Sequence, residues 1–143
     1  MTTVNQLLRV KGYQVVSIEP EDTVYNALIR MSTNNVGALV VLDGSDLAGI
    51  LSERDYARKV ILYGKSSRET SVRDIMTSRV QCVGPEQTMQ ECMALMTDKR
   101  IRHLPVVRDN AVIGIISIGD VVRAIIEEQQ VLISHLESYI VGQ

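Results

Sequence analysis

Apolar and polar positions run through this chain in one order, and then run through that order again. Val15-Val16-Ser17-Ile18 is a short strand-like run, broken by Pro20-Glu21-Asp22. Thr23 opens a helical pattern reaching about Asn34, with Val24, Ala27, Leu28 and Met31 on one face. Ala38–Leu42 and Leu47–Leu51 are continuous apolar runs joined by Asp43-Gly44-Ser45-Asp46. Together they predict an antiparallel hairpin whose strands are covered on both faces. A helix from about Glu53 to Leu62 closes the unit, and Gly64 stops it. The second pass gives the helix start Thr88-Met89-Gln90-Glu91, a capping-box pattern, then strands His103–Val107 and Ala111–Ile116 around the turn Arg108-Asp109-Asn110.

The repetition is close. Gly49-Ile50-Leu51-Ser52-Glu53-Arg54-Asp55 returns 65 positions later as Gly114-Ile115-Ile116-Ser117-Ile118-Gly119-Asp120. Without a gap, Val15–Val60 aligns with Val80–Ile125, and 12 of the 46 pairs are identical. Many other pairs exchange one apolar residue for another. Each copy also has a lead-in. Thr3-Val4-Asn5-Gln6-Leu7-Leu8 resembles Ser71-Val72-Arg73-Asp74-Ile75-Met76, Thr3 is placed to cap a short helix, and Gly12 to end it. An internal duplication sets the architecture. The expected fold is mixed α+β: two β-α-β-β-α repeats related by a pseudo-two-fold axis and packed together. The boundaries read as 1–65 for the first repeat with its entry segment, and 66–143 for the linker, second repeat and a long terminal helix.

That last helix starts near Ile118 and carries Val121, Val122, Ile125, Ile126, Leu132, Ile133, Leu136 and Ile140 at helical spacing. About 24 residues would span roughly 36 Å, longer than one small unit needs. It either packs back on its own domain or forms a dimer.

Composition narrows the function classes. A formal charge of −2 gives no general attraction to nucleic acid. The absence of Trp and Phe removes stacking platforms for single strands. No run approaches the length of a membrane span, and the first residues lack a signal-peptide pattern, so the expected location is cytoplasmic. Cys82 and Cys92 read as packed thiols in a reducing compartment. His103 and His135, the two histidines, sit in no nucleophile–base arrangement, and no Cys/His cluster has metal spacing. The chain is expected not to be an enzyme and to need no cofactor.

The repeated Gly-Ile-x-Ser-x-x-Asp lies where a buried strand meets a helix. Glycine there lets the chain bend or lets another group approach closely. Ser52 with Asp55, and Ser117 with Asp120, have the spacing of a capping box, which accounts for them structurally. The same geometry also serves a ligand: free N–H groups for an anion, a hydroxyl for phosphate or sugar, and a carboxylate for the hydroxyls of a ribose. Spacing leaves both readings open.

The chain resembles the cystathionine-β-synthase (CBS) domain in tandem, a stand-alone Bateman module. The residues that carry the resemblance are Pro20-Glu21-Asp22-Thr23-Val24, Pro85-Glu86-Gln87-Thr88-Met89, Leu104-Pro105-Val106-Val107 and the two Gly-Ile-x-Ser-x-x-Asp motifs, over about residues 4–130. Similar modules regulate the AMP-activated kinase, IMP dehydrogenase and chloride channels by sensing adenine nucleotides. The resemblance implies two clefts between the copies. One would combine Ile115, Ser117 and Asp120 with Val16, Val36 and Gly37; the other Ile50, Ser52 and Asp55 with Gln81, Ile101 and Arg102. Asp would hold the ribose, Ser the ribose or phosphate, and strand backbone the adenine. Arg54, Arg102, His103, Arg100 and Arg58 are the basic residues expected near phosphates. The implied function is a regulatory sensor of AMP, ADP, ATP, NAD or S-adenosylmethionine, homodimeric, relaying occupancy to an effector protein. The alternative is a ligand-independent scaffold.

Overall fold

The structure, a computed structural model, describes residues 1–142. The first repeat contains β1 (Ser17–Ile18), α2 (Val24–Asn34), β2 (Ala38–Asp43), β3 (Asp46–Ser52) and α3 (Glu53–Tyr56), preceded by α1 (Val4–Lys11). Parallel pairing of β1 with β2 and antiparallel pairing of β2 with β3 make a three-stranded sheet. The second repeat contains α5 (Met89–Lys99), β4 (His103–Arg108), β5 (Ala111–Ser117) and α6 (Ile118–Val141), preceded by α4 (Val72–Ile75). Its entry strand shrinks to one parallel bridge, Val83 to Val106, so its sheet has two named strands.

The duplication persists to fine detail. Both hairpins shift register at the same place, between Val41 and Leu42 and between Val106 and Val107. Both central helices end on a left-handed residue, Asn35 (φ 53°) and Arg100 (φ 55°). The Asp109-Asn110 turn uses positive φ at both positions, 51° and 64°, as a tight hairpin requires. Thr88 and Glu91 form their capping box, and Thr3 forms another with Gln6.

Continuous apolar strands are covered on both faces because alternate residues enter different cores. Leu39 and Val41 join a core under α2 with Ile18, Val24, Ala27 and Met31. Ala38 and Val40 point the other way and meet Ile115 of the second copy, with Val15, Ile50 and Val112 packed around them. This second layer glues the copies together through removal of apolar surface from water.

The lead-ins are exchanged in space. α1 precedes the first copy, yet Val4 and Leu8 are buried among Val83, Met89, Leu104 and Ile116 of the second. α4 precedes the second copy, yet Val72 and Ile75 complete the core of the first. Main-chain bonds fix both: Val4 N to Gln87 O (2.8 Å) and Val72 N to Asp22 O (2.8 Å).

One element differs from the sequence reading, and one alternative it left open is narrowed. The helix expected over Glu53–Leu62 is α-helical only to Tyr56 and continues as a π-helical turn, Ala57–Ile61. α6 does not pack back on the body along its length. Val121 and Ala124 are buried, but Val131, Leu132, Leu136 and Ile140 are exposed.

Candidate functional site

Both repeated motifs fold as helix caps. Ser52 N donates to Asp55 Oδ2 (3.0 Å), and Asp55 N donates to Ser52 Oγ (3.1 Å). Ser117 N donates to Asp120 Oδ2 (2.8 Å), and Asp120 N donates to Ser117 Oγ (3.2 Å). The repeated glycines also have a structural reason. A Cβ on Gly49 would stand 2.7 Å from Thr77 O and 2.8 Å from Met76 Sδ, and one on Gly114 would stand 2.9 Å from Leu8 Cδ2. Leu8 and Met76 are matching residues of the exchanged lead-ins, so each motif glycine makes room for one of them.

Each carboxylate also holds an ammonium. Lys59 Nζ lies 3.2 Å from Asp55 Oδ1 and donates to Ile75 O (3.0 Å). Lys11 Nζ donates to Asp120 Oδ2 (2.7 Å) and to Ile115 O (2.7 Å), while Arg123 adds a third contact to Asp120 Oδ1 (3.0 Å). Asp120 is the more buried of the two carboxylates, 8 % exposed. Burial alone pushes its carboxyl up; the Lys11 ammonium and the Ser117 donors outweigh burial and hold it below its ordinary value.

The residues of the two expected clefts are distributed as follows. Gly37 O accepts from Glu53 N (3.0 Å), and Arg102 O accepts from Ile118 N (2.8 Å), so each is tied to the motif helix of its own copy. Contact across the copies runs through side chains. His103 Nε2 lies 3.6 Å from where Gly37 would carry a Cβ, next to Glu53 Oε1 of Gly37's own copy at 3.2 Å. Arg54 reaches across to Arg100 O (3.4 Å) beside Ile101 and Arg102. Val36 and Gly37 line a cavity of about 390 Å³ with Leu28, Met31, Asn35 and Glu53. Asp120 lines a different one of about 550 Å³, between α1 and α6, with Lys11, Arg123, Gln6 and Glu127. Val16 packs against the first core and gives its carbonyl to Val40 N (3.2 Å). Ile101 packs on the second core; Ile50 and Ile115 lie in the layer between the copies. Gln81, Arg58, Arg100 and Arg102 are exposed.

His103 is half-buried, and burial lowers its pKa from the ordinary value, with Lys11 and Arg102 adding to the effect and Asp120 opposing it. Buried Cys92 is pushed up to about 11, mainly by desolvation, and is a packed, unreactive thiol. Sequence reasoning missed Lys11, Lys59 and Arg123 as partners of the carboxylates. Lys59 and Arg123 were visible as i,i+4 and i,i+3 partners of Asp55 and Asp120. Lys11 carried no local signal, because its partner lies 109 residues away.

Fold and site define a tandem pair of small α+β modules with matching motif-lined junctions. The CBS domain family model matches residues 10–61 and 72–127, and the chain belongs to this family. It is similar to the CBS domain-containing protein CBSX3, mitochondrial, of Arabidopsis thaliana, at 45 % identity over 99 % of the chain and 73 % of that protein. CBS domain-containing protein YhcV of Bacillus subtilis is 32 % identical over 75 % of the chain and 76 % of its own length. A solved protein with CBS domains from Burkholderia ambifaria superposes with a TM-score of 0.86 at 49 % identity, covering 90 % of this chain and 96 % of that one. A CBS-domain pair is a regulatory module. Among the described residues no helix is long and apolar enough to cross a membrane.

Proposed function

We infer that this protein is a non-enzymatic sensor that binds adenosine-containing small molecules between its two copies and relays occupancy to a partner protein. One observation carries the reading. At Asp120 a buried carboxylate and the strand carbonyl of Ile115 converge on a single donor, Lys11 Nζ. An acceptor pair of this kind suits a ligand rich in hydroxyl donors, such as a ribose. Ligand bridging both copies favours one relative orientation, and it moves the equilibrium only by its preference between orientations. The reading places the protein in a reducing, cytoplasmic setting, where the free thiols of Cys82 and Cys92 persist.

The test is isothermal titration of the folded protein with AMP, ATP, NAD and S-adenosylmethionine in parallel. Saturable binding to one of them, abolished in the Asp55→Ala, Asp120→Ala double variant, is the expected result. Undiminished binding in that variant removes the site assignment, and silence from all four ligands favours a scaffold.

A second reading has its own observation. The outer half of α6 exposes Leu132 (58 %), Leu136 (54 %) and Ile140 (72 %). Val122, Ile126, Ile133, Leu136 and Ile140 fall at alternating spacings of four, seven, three and four, as in a coiled-coil seam with Gln129 filling the remaining step. α6 therefore serves as the helix of a homodimer, and truncation after Glu128 is expected to give monomers in sedimentation.

A further inference from the structure

The two copies treat the strand edge beside the motif differently. In the first, Ile50 N donates to Thr77 O (3.0 Å) and Thr77 N donates to Ile50 O (2.9 Å), so main chain closes the edge. In the second, Ile115 faces Pro105 within its hairpin, but no main-chain bond among the described residues closes its outer edge, and Lys11 Nζ takes its carbonyl instead. The reason lies in the lead-ins. α4 ends at Ile75, and Met76 is extended (ψ 154°), which lets Thr77 run along β3. α1 continues past Leu8 to Lys11 before Gly12 ends it at φ 107°, so a side chain reaches the edge in place of backbone.

We propose that Lys11 is a built-in competitor at the Asp120 junction, occupying the position of a ligand's neighbouring hydroxyls, and that the Asp55 junction takes no ligand. This rests on the nucleoside reading of the site. The ammonium offers donors to Ile115 O and Asp120 Oδ2, both at 2.7 Å. A vicinal diol offers two donors of the same reach. Lys11 is partly exposed, with 37 % of its side chain accessible, so it can swing out through the groove between α1 and α6. Arg123, on the surface beside Asp120, keeps its own contact to Oδ1 (3.0 Å). At the other junction the ligand would have to break the Thr77 pairing and the Lys59 contact together.

The experiment is calorimetric titration of the full chain with AMP and with adenosine. Wild type, Lys11→Met, Asp55→Asn and Asp120→Asn are compared, with a melting curve for each. Lys11→Gln repeats the test should the methionine variant melt below the titration temperature. The expected result is one site per chain, kept in Asp55→Asn and lost in Asp120→Asn. Removing a charge-assisted competitor tightens both AMP and adenosine, on the order of tenfold or more. Two equal sites, unchanged affinity in the lysine variants, or loss of binding in Asp55→Asn overturns the proposal and leaves the nucleoside reading standing. Weakening for AMP alone also overturns it, and makes Lys11 a phosphate contact. Absence of heat from every folded variant overturns the nucleoside reading itself, and this inference with it.

Discussion

Ile50 and Ile115 occupy the same place in two copies of one unit, each between a motif glycine and a capping serine. Thr77 meets the first with two main-chain bonds, and Lys11 meets the second with one ammonium. The glycines before them differ in the same sense. Gly49 is crowded by Thr77 O and Met76 Sδ, a bonded backbone atom and a thioether, whereas Gly114 is crowded only by Leu8 methyl groups. A duplicated sequence thus gives one junction closed by main chain and one closed by side chains. Main chain in a bonded pair is costly to move; a lysine head or a leucine methyl shifts by rotamer. The second junction is therefore the one expected to open more readily.

The largest test of this difference is deletion of the matching lead-in side chains. Leu8 is fully buried, and Met76 is only partly buried. Leu8→Ala is expected to cost about 2–5 kcal/mol, and Met76→Ala clearly less, because bonds through Thr77 still hold that lead-in. Equilibrium urea unfolding measures both. Equal losses would mean that the lead-ins are held alike, and that the contrast at Ile50 and Ile115 does not reach energetics.

The glycines give a smaller effect. Overpacking costs about 1–3 kcal/mol. Gly49→Ala belongs at the upper end of that range, since the new methyl meets Thr77 O at 2.7 Å. Gly114→Ala belongs at the lower end, since Leu8 can turn away. Combined with Leu8→Ala, the Gly114→Ala penalty should shrink toward zero, a coupling that a double-mutant cycle reads directly. An undiminished penalty in the double variant would place the strain elsewhere.

These contrasts mark where the sequence was legible. The hairpins, central helices and capping boxes follow from local pattern: apolar runs, Thr and Ser at helix starts, and acidic partners three residues on. The similarity of the two lead-ins was legible too. Their exchange was not, because Val4 and Val72 have the same character whichever copy they cover. Lys11 was hidden for that reason, as its role exists only once α1 sits on the second copy. The motif glycines read correctly as sites of close approach, but what approaches them depended on the exchange. The π-helical turn after Tyr56 left no mark in a gapless alignment. The serine–aspartate caps of both motifs were legible from spacing. The division into one junction beside Glu53 and Gly37 and another beside Lys11 and Arg123 came from tertiary packing.

His103 offers the smallest and most specific probe. Its imidazole is held below the ordinary pKa by burial first, then by the Lys11 ammonium, while Asp120 opposes and Arg102 adds to the lowering. Just below its ordinary pKa, the unfolded chain therefore binds more protons at this position than the folded protein does. The stability it contributes is present above the unfolded pKa and is lost as pH falls through the folded one. Thermal melts should shift downward from about pH 7 to pH 5, and His103→Gln should flatten that part of the profile. Lys11→Met sharpens the test, because removing the ammonium must move the imidazole titration upward, toward its ordinary value. Two-dimensional NMR of the ring protons follows this directly, with exposed His135 supplying the second histidine signal. A His103 titration unmoved by Lys11→Met would mean that the ammonium does not stand beside the imidazole in solution.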